Sequence, residues 1–171
     1  KAENLRRYQQ VNHLRVTAML ELAASGEVSS EQARRLLEEA RRIALSPQDA
    51  VDSALALGEY HRRENRPLEA CQQYLLLVLS REGDQMVCEG DEFRQRARGV
   101  AVRKLADAAR ALDAAGKAKL EESIRQALRE AESDRNGDVM LWLAESPALG
   151  AVADQAALIL AHCPCPRVVV S

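Results

Sequence analysis

One pattern runs along the chain to about residue 162: apolar residues at three- and four-residue intervals, polar residues between them, and short breaks. Tyr8, Val11, Leu14, Ala18, Leu20 and Leu22 keep a mostly helical interval and predict a first helix over about 3–24, stopped by Ser25-Gly26. Ser29 then stands where a helix cap belongs, with Gln32 three residues on and Val28 in the staple position. The helix it opens carries Ala33, Leu36, Leu37, Ala40 and Ile43. Ser46 caps the next helix, with Pro47 in its first turn and Asp49 completing a box-like arrangement. That helix runs through Val51, Ala54, Leu55, Leu57, Gly58 and Tyr60 and ends near Asn65-Arg66. Pro67 opens a fourth helix through Ala70, Tyr74, Leu75, Leu77 and Val78.

Residues 81–92 interrupt the pattern with Glu82, Asp84, Glu89, Asp91 and Glu92 around Gly83 and Gly90, and read as an acidic loop. A long helix over about 92–112 follows, with Val100, Leu105 and Ala109 inward; Ala114-Ala115-Gly116 reads as a short break. The next helix, about 117–132, has Leu120, Ile124, Ala127 and Leu128 on one stripe. After the polar turn Asp134-Arg135-Asn136-Gly137, two shorter helices are expected over 138–145 and 147–162, separated by Ser146-Pro147. No run of four or more residues alternates with period two, apart from the terminal Val168–Val170 stretch. Short connections between amphipathic helices imply antiparallel neighbours. The expected fold is therefore all-α, a stack of antiparallel helix pairs with about seven to eight helices. Residues 1–162 would form one domain and 163–171 a tail or the start of a following domain.

The clearest repeat candidate spans 51–84, where Leu57-Gly58 precede Ala70 and Tyr74 across a turn at Asn65. This spacing resembles a tetratricopeptide repeat (TPR), in which small residues let two helices approach and large ones fill the gap. The chain departs from that family at Ala54, where a bulky aromatic is usual, at His61, where Tyr is usual, and at Leu77, where a small residue is usual; the usual terminal Pro is missing too. Residues 99–131 and 138–162 form weaker hairpins of the same kind. The resemblance implies a right-handed TPR-like α-solenoid. The order of features is also similar to helical regions beside pyrroloquinoline-quinone-type β-propellers in some bacterial envelope proteins, through Leu57–Tyr74, the acidic loop and the 138–161 hairpin. That resemblance implies a neighbouring propeller whose first strand could begin at Val168–Val170.

Composition narrows the function classes. Of 171 residues 47% are hydrophobic but only 3% aromatic, so helices packing through Leu and Ala are expected. The charged fraction of 29% has both signs interleaved and nets −2, without the basic stripe of a general nucleic-acid binder. No stretch approaches the roughly 18 apolar residues of a membrane span. The chain opens at Lys1 and reads as a segment of a longer protein, which leaves bacterial cytoplasm and cell envelope both open. Cys71 falls in a helical pattern, Cys88 in the acidic loop, and Cys163 and Cys165 in a Cys-Pro-Cys tail too tight for ordinary disulfide geometry. Without a Cys-x2-Cys pair, and with three His, no zinc site and no cofactor are expected.

Candidate chemistry is sparse. Asp134, Asn136, Asp138 and Glu145 have the spacing of an EF-hand calcium loop, but Val139 stands where that loop requires Gly, and a helix-capping turn is favoured. The acidic loop is either a solvated linker or an attractor of a cation or basic partner. His13, His61 and His162 are scattered, and Glu89 and Asp91 would suppress the reactivity of Cys88. Phosphate-binding glycine motifs are missing, and Trp142 reads as a core or inter-helix residue. If 51–84 follows the repeat pattern, Asp52, Leu55, Glu59, Arg62 and Arg63 face a groove. There Arg62 and Arg63 either hold a partner's carboxylate, such as a peptide C-terminus, or are ordinary solvated charges. The expectation is a non-enzymatic interaction or scaffold domain for a peptide, a protein or a neighbouring domain. The alternative is a structural spacer in a larger, propeller-containing protein.

Overall fold

A computed structural model describes residues 2–88 and 94–130. They form six α-helices: α1 (Ala2–Ala24), α2 (Ser30–Ile43), α3 (Pro47–Arg63), α4 (Pro67–Leu79), α5 (Ala97–Ala109) and α6 (Ala114–Glu130). The two further helices expected over 138–145 and 147–162 lie outside the described residues, as do the EF-hand-like spacing, Trp142, His162, Cys163 and Cys165.

The two strongest start signals work as their chemistry requires. Ser29 Oγ accepts from Gln32 N, while Gln32 Oε1 accepts from Ser29 N, a complete capping box. Ser46 Oγ accepts from Asp49 N at 3.0 Å, with Pro47 in the first turn. The second box stays half-made, because the Asp49 carboxylate is engaged elsewhere: its Oδ1 lies 2.6 Å from His13 Nδ1 on α1. Asn65 ends the α3–α4 turn at φ 57°, the left-handed conformation that Asn tolerates.

The expected loop over 81–92 and the helix start at 92 are corrected. A 3-10 turn, Arg81–Asp84, leads into strand β1 (Met86–Cys88), which pairs antiparallel with β2 (Arg94–Arg96); α5 begins only at Ala97. Cys88 is thus a strand residue paired with Arg94. Three-residue strands are too short to show period-two alternation, which explains why the pattern along the chain hides them. The expected break at 114–116 is also corrected. Asp113 caps α6 there, its Oδ1 accepting from Gly116 N at 2.6 Å, so the helix starts three residues early.

Consecutive helices pack on one another from α1 to α5; in addition α1 reaches α3, α3 reaches α5 and α6 packs on α4. The main core joins α3, α4, α5, α6 and β1 around the fully buried Tyr74, Leu77, Val78, Leu105 and Ile124. Leu57, Gly58, Ala70 and Tyr74 all lie inside. The Tyr74 ring rests on Gly58 so closely that a methyl group there would meet ring carbon Cε1 at a distance shorter than any van der Waals contact.

Arg98, which the pattern along the chain does not single out, is buried at the start of α5. Its Nε and Nη2 donate to the carbonyls of Val78 (2.8 Å) and Ser80 (3.0 Å) at the end of α4, and its Nη1 to Asp84 Oδ1 (2.5 Å). A cation satisfying the last carbonyls of a helix complements its dipole and removes orphan acceptors.

Candidate functional site

Along α3, Gln48, Asp52, Leu55, Glu59 and Arg62 recur at alternating four- and three-residue intervals and therefore share one face. Val100, Lys104 and Asp107 do the same on α5, and the two faces meet. Glu59 feels the charge of Lys104, and Arg62 that of Asp107. At one end of this seam lies a cleft of about 560 Å³. Leu55, Val87, Val100 and the exposed Met86 form its apolar part, and Asp52, Gln48, Lys104 and Arg94 its polar part.

Asp52 is half-buried, and Gln48 Nε2 donates to its Oδ1 at 2.9 Å. Burial raises its pKa above the ordinary aspartate value and the nearby Asp49 charge adds to this, while the Gln48 hydrogen bond and His13 oppose it. The chain thus keeps a carboxylate where its charged form is disfavoured, beside a lysine and an arginine lining the same cleft. Groups displaced by burial in a concavity that charged side chains also line mark binding sites more often than chance.

The other groove residues have partners of their own. Arg62 grips Glu59 with two hydrogen bonds, Nε to Oε2 at 2.9 Å and Nη2 to Oε1 at 2.8 Å. Arg63 Nε adds a third to Oε1 at 3.3 Å. Glu59 is correspondingly held below the usual glutamate range, first by the hydrogen bond from Arg62. A partner's carboxylate would compete with Glu59 for both arginines. Glu59 and Arg63 also line a second, smaller cleft of about 260 Å³ among α1, α2 and α3, with Leu20, Val28, Leu37 and Tyr60. The structure therefore brings Asp52 and Leu55 into one cleft and gathers Glu59, Arg62 and Arg63 into a charge cluster further along the face.

Lys104, Arg94 and Met86 complete the cleft and come from segments 31 or more residues from Leu55. No strong sequence signal marks the last two, because each sits on a strand of only three residues. Of the other candidates, His61 is buried against Tyr60, with ring centroids 5.5 Å apart, and burial lowers its pKa. Cys71 is buried beside the Leu105 carbonyl and its thiol is pushed up to about 12, which makes it inert. Among the described residues no three His, Cys, Asp or Glu side chains gather as metal ligands, and no helix is long and apolar enough to cross a membrane.

No known family model matches the chain, and neither does any curated protein or solved structure at a significant level.

Proposed function

We propose that the chain is a non-enzymatic interaction domain that takes a peptide segment of a partner protein, or of a neighbouring domain, along the α3–α5 face. The cleft around Asp52 carries this reading. It pairs an apolar wall with a half-buried carboxylate and two cations, and so fits a segment presenting an apolar side chain flanked by a basic and an acidic residue. The contacts of α1 with α3, α3 with α5 and α4 with α6 support a right-handed, TPR-like two-row stack with α1, α3 and α5 on the inner row. The close fit of Gly58 under Tyr74 supports it from inside the best hairpin. In that arrangement Asp52, Glu59, Arg62 and Arg63 all belong to the binding row. The alternative is a spacer in a propeller-containing protein, with no ligand of its own.

Screening a peptide library against the whole chain, with Asp52→Lys and Lys104→Glu as controls, separates the two. Under the proposal, each substitution weakens binding of selected peptides at least tenfold, and together they shift selection toward peptides with reversed charge order. Asp52→Asn should at the same time make the fold slightly more stable near pH 7, because it removes a carboxylate whose charged form burial disfavours. Peptides that bind the double variant as well as the parent, or no selected peptides at all, would leave the spacer.

A further inference from the structure

Helix α1 is long and mostly exposed. It spans 23 residues, about 34 Å at the helical rise, yet only Asn12 and Val16 are buried. Asn12 Nδ2 donates to the Ile43 carbonyl of α2, and His13 reaches Asp49 of α3. About a quarter turn round the helix from Asn12 and Val16, a different set of residues faces solvent: Asn4, Tyr8, Val11, Arg15, Ala18 and Leu22. They lie on one face at the four- and three-residue spacing that a coiled-coil seam uses, with Tyr8, Val11, Ala18 and Leu22 apolar and Asn4 and Arg15 polar. Tyr8 is 61% exposed, Val11 56% and, beside the seam, Leu14 66%.

We infer that this seam pairs with the same seam of a second copy of the chain, antiparallel, around a two-fold axis passing near His13. The sequence of α1 is self-complementary in that register and in that direction. Tyr8 falls opposite the small Ala18 of the other copy, so a large side chain meets a gap. Val11 falls opposite Arg15, whose stem is apolar and whose charge is felt within its own chain by Glu39 of α2, itself paired with Arg42. On the flank facing away from α2, Arg7, which also pairs with Glu3 one turn earlier in its own chain at 2.6 Å, comes opposite Glu21, and Leu14 meets its own copy across the axis. A parallel pairing would instead set Arg7 against Arg7 and Glu21 against Glu21. A two-fold, isologous contact uses one patch twice, which suits a seam whose two ends carry opposite charges. None of these residues lines the cleft around Asp52, so a dimer would present two such clefts.

The test is the mass of the full chain in solution across a concentration series, by sedimentation equilibrium. The expected result is a mass that rises to twice that of one chain by tens of micromolar. Leu14→Glu, an exposed position, should leave the helical circular dichroism unchanged and return the chain to a monomer. Arg7→Glu alone and Glu21→Arg alone should each raise the dissociation constant about tenfold or more, and the two together should restore it. A parent chain that stays monomeric at 100 µM overturns the proposal. So does a dimer that survives Leu14→Glu, or a double charge swap no tighter than the single ones, which would place the contact or its direction elsewhere.

Discussion

The two ends of the described structure are held by different chemistry. From α3 to α6 the helices enclose a continuous apolar core, with Tyr74, Leu77, Leu105 and Ile124 at most 1% exposed. The α1–α2 end buries far less: Val16 on α1, and Ala33, Leu37 and Ala40 on α2, all outside that core. Polar contacts make up part of the difference. Asn12 ties α1 to the end of α2, and the His13–Asp49 pair ties it to α3. Apolar contacts scale with area and resist local opening. Directed polar contacts fix orientation but contribute about 1 kcal/mol each. One chain thus combines a rigid body with an attached helix set by geometry more than by burial.

Three measurements sharpen that contrast, in falling order of effect. Leu105→Ala opens a cavity in the core and should lower the stability read by urea unfolding by about 2–5 kcal/mol, with every helix lost together. An unchanged midpoint would mean that the core is not the source of stability. Asp49→Ala should act on the other end. It removes the buried acceptor of His13, for a loss on the order of 1 kcal/mol that is moderated by the half-exposed imidazole. Amide exchange should then speed up across α1 while α4 and α5 keep their protection; faster exchange spread evenly over all helices would contradict the division. The smallest effect concerns His61, whose pKa burial lowers below 6.5. The unfolded chain takes up the proton first, so stability is full above about pH 6.5 and falls as acid titrates the unfolded histidine and then the folded one. His61→Phe should flatten the pH dependence of stability between pH 6.5 and 5. Identical slopes for both chains would show that the histidine is solvated in the folded state.

The readability of the sequence follows the same division. Six helices and two caps were legible because each depends on neighbours three or four residues away: Ser29 with Gln32, Ser46 with Pro47 and the amide of Asp49. Part of what was hidden depends on distant partners, and part on which of several local arrangements the side chains take. The second capping box gave way to His13, 36 residues off. The Asp113 cap was masked by a Gly that looks like a break but only needs its N–H. The cleft shows the limit most plainly. Asp52 and Leu55 could be placed on one helix face by counting, whereas Lys104 and Met86 join them only once α5 and the hairpin have docked. Arg62 and Arg63 were legible as a basic pair, but not their occupation by Glu59, because nothing in a periodic pattern says which rotamer a charge adopts.

The Arg98 latch has a consequence for how this chain tolerates change. Arg98 on one side and the 2.7 Å bond from Ala97 N to Gln85 O on the other pinch the chain together where it leaves and rejoins the helices. The paired strands Met86–Cys88 and Arg94–Arg96 are therefore closed at their base. Lengthening the chain between two strands paired in this way adds loop-closure entropy only logarithmically and leaves their base in place. The hairpin is the natural place to graft a foreign sequence, and because Met86 and Arg94 form one wall of the cleft, a graft there would reshape what the domain holds without asking the helices to repack.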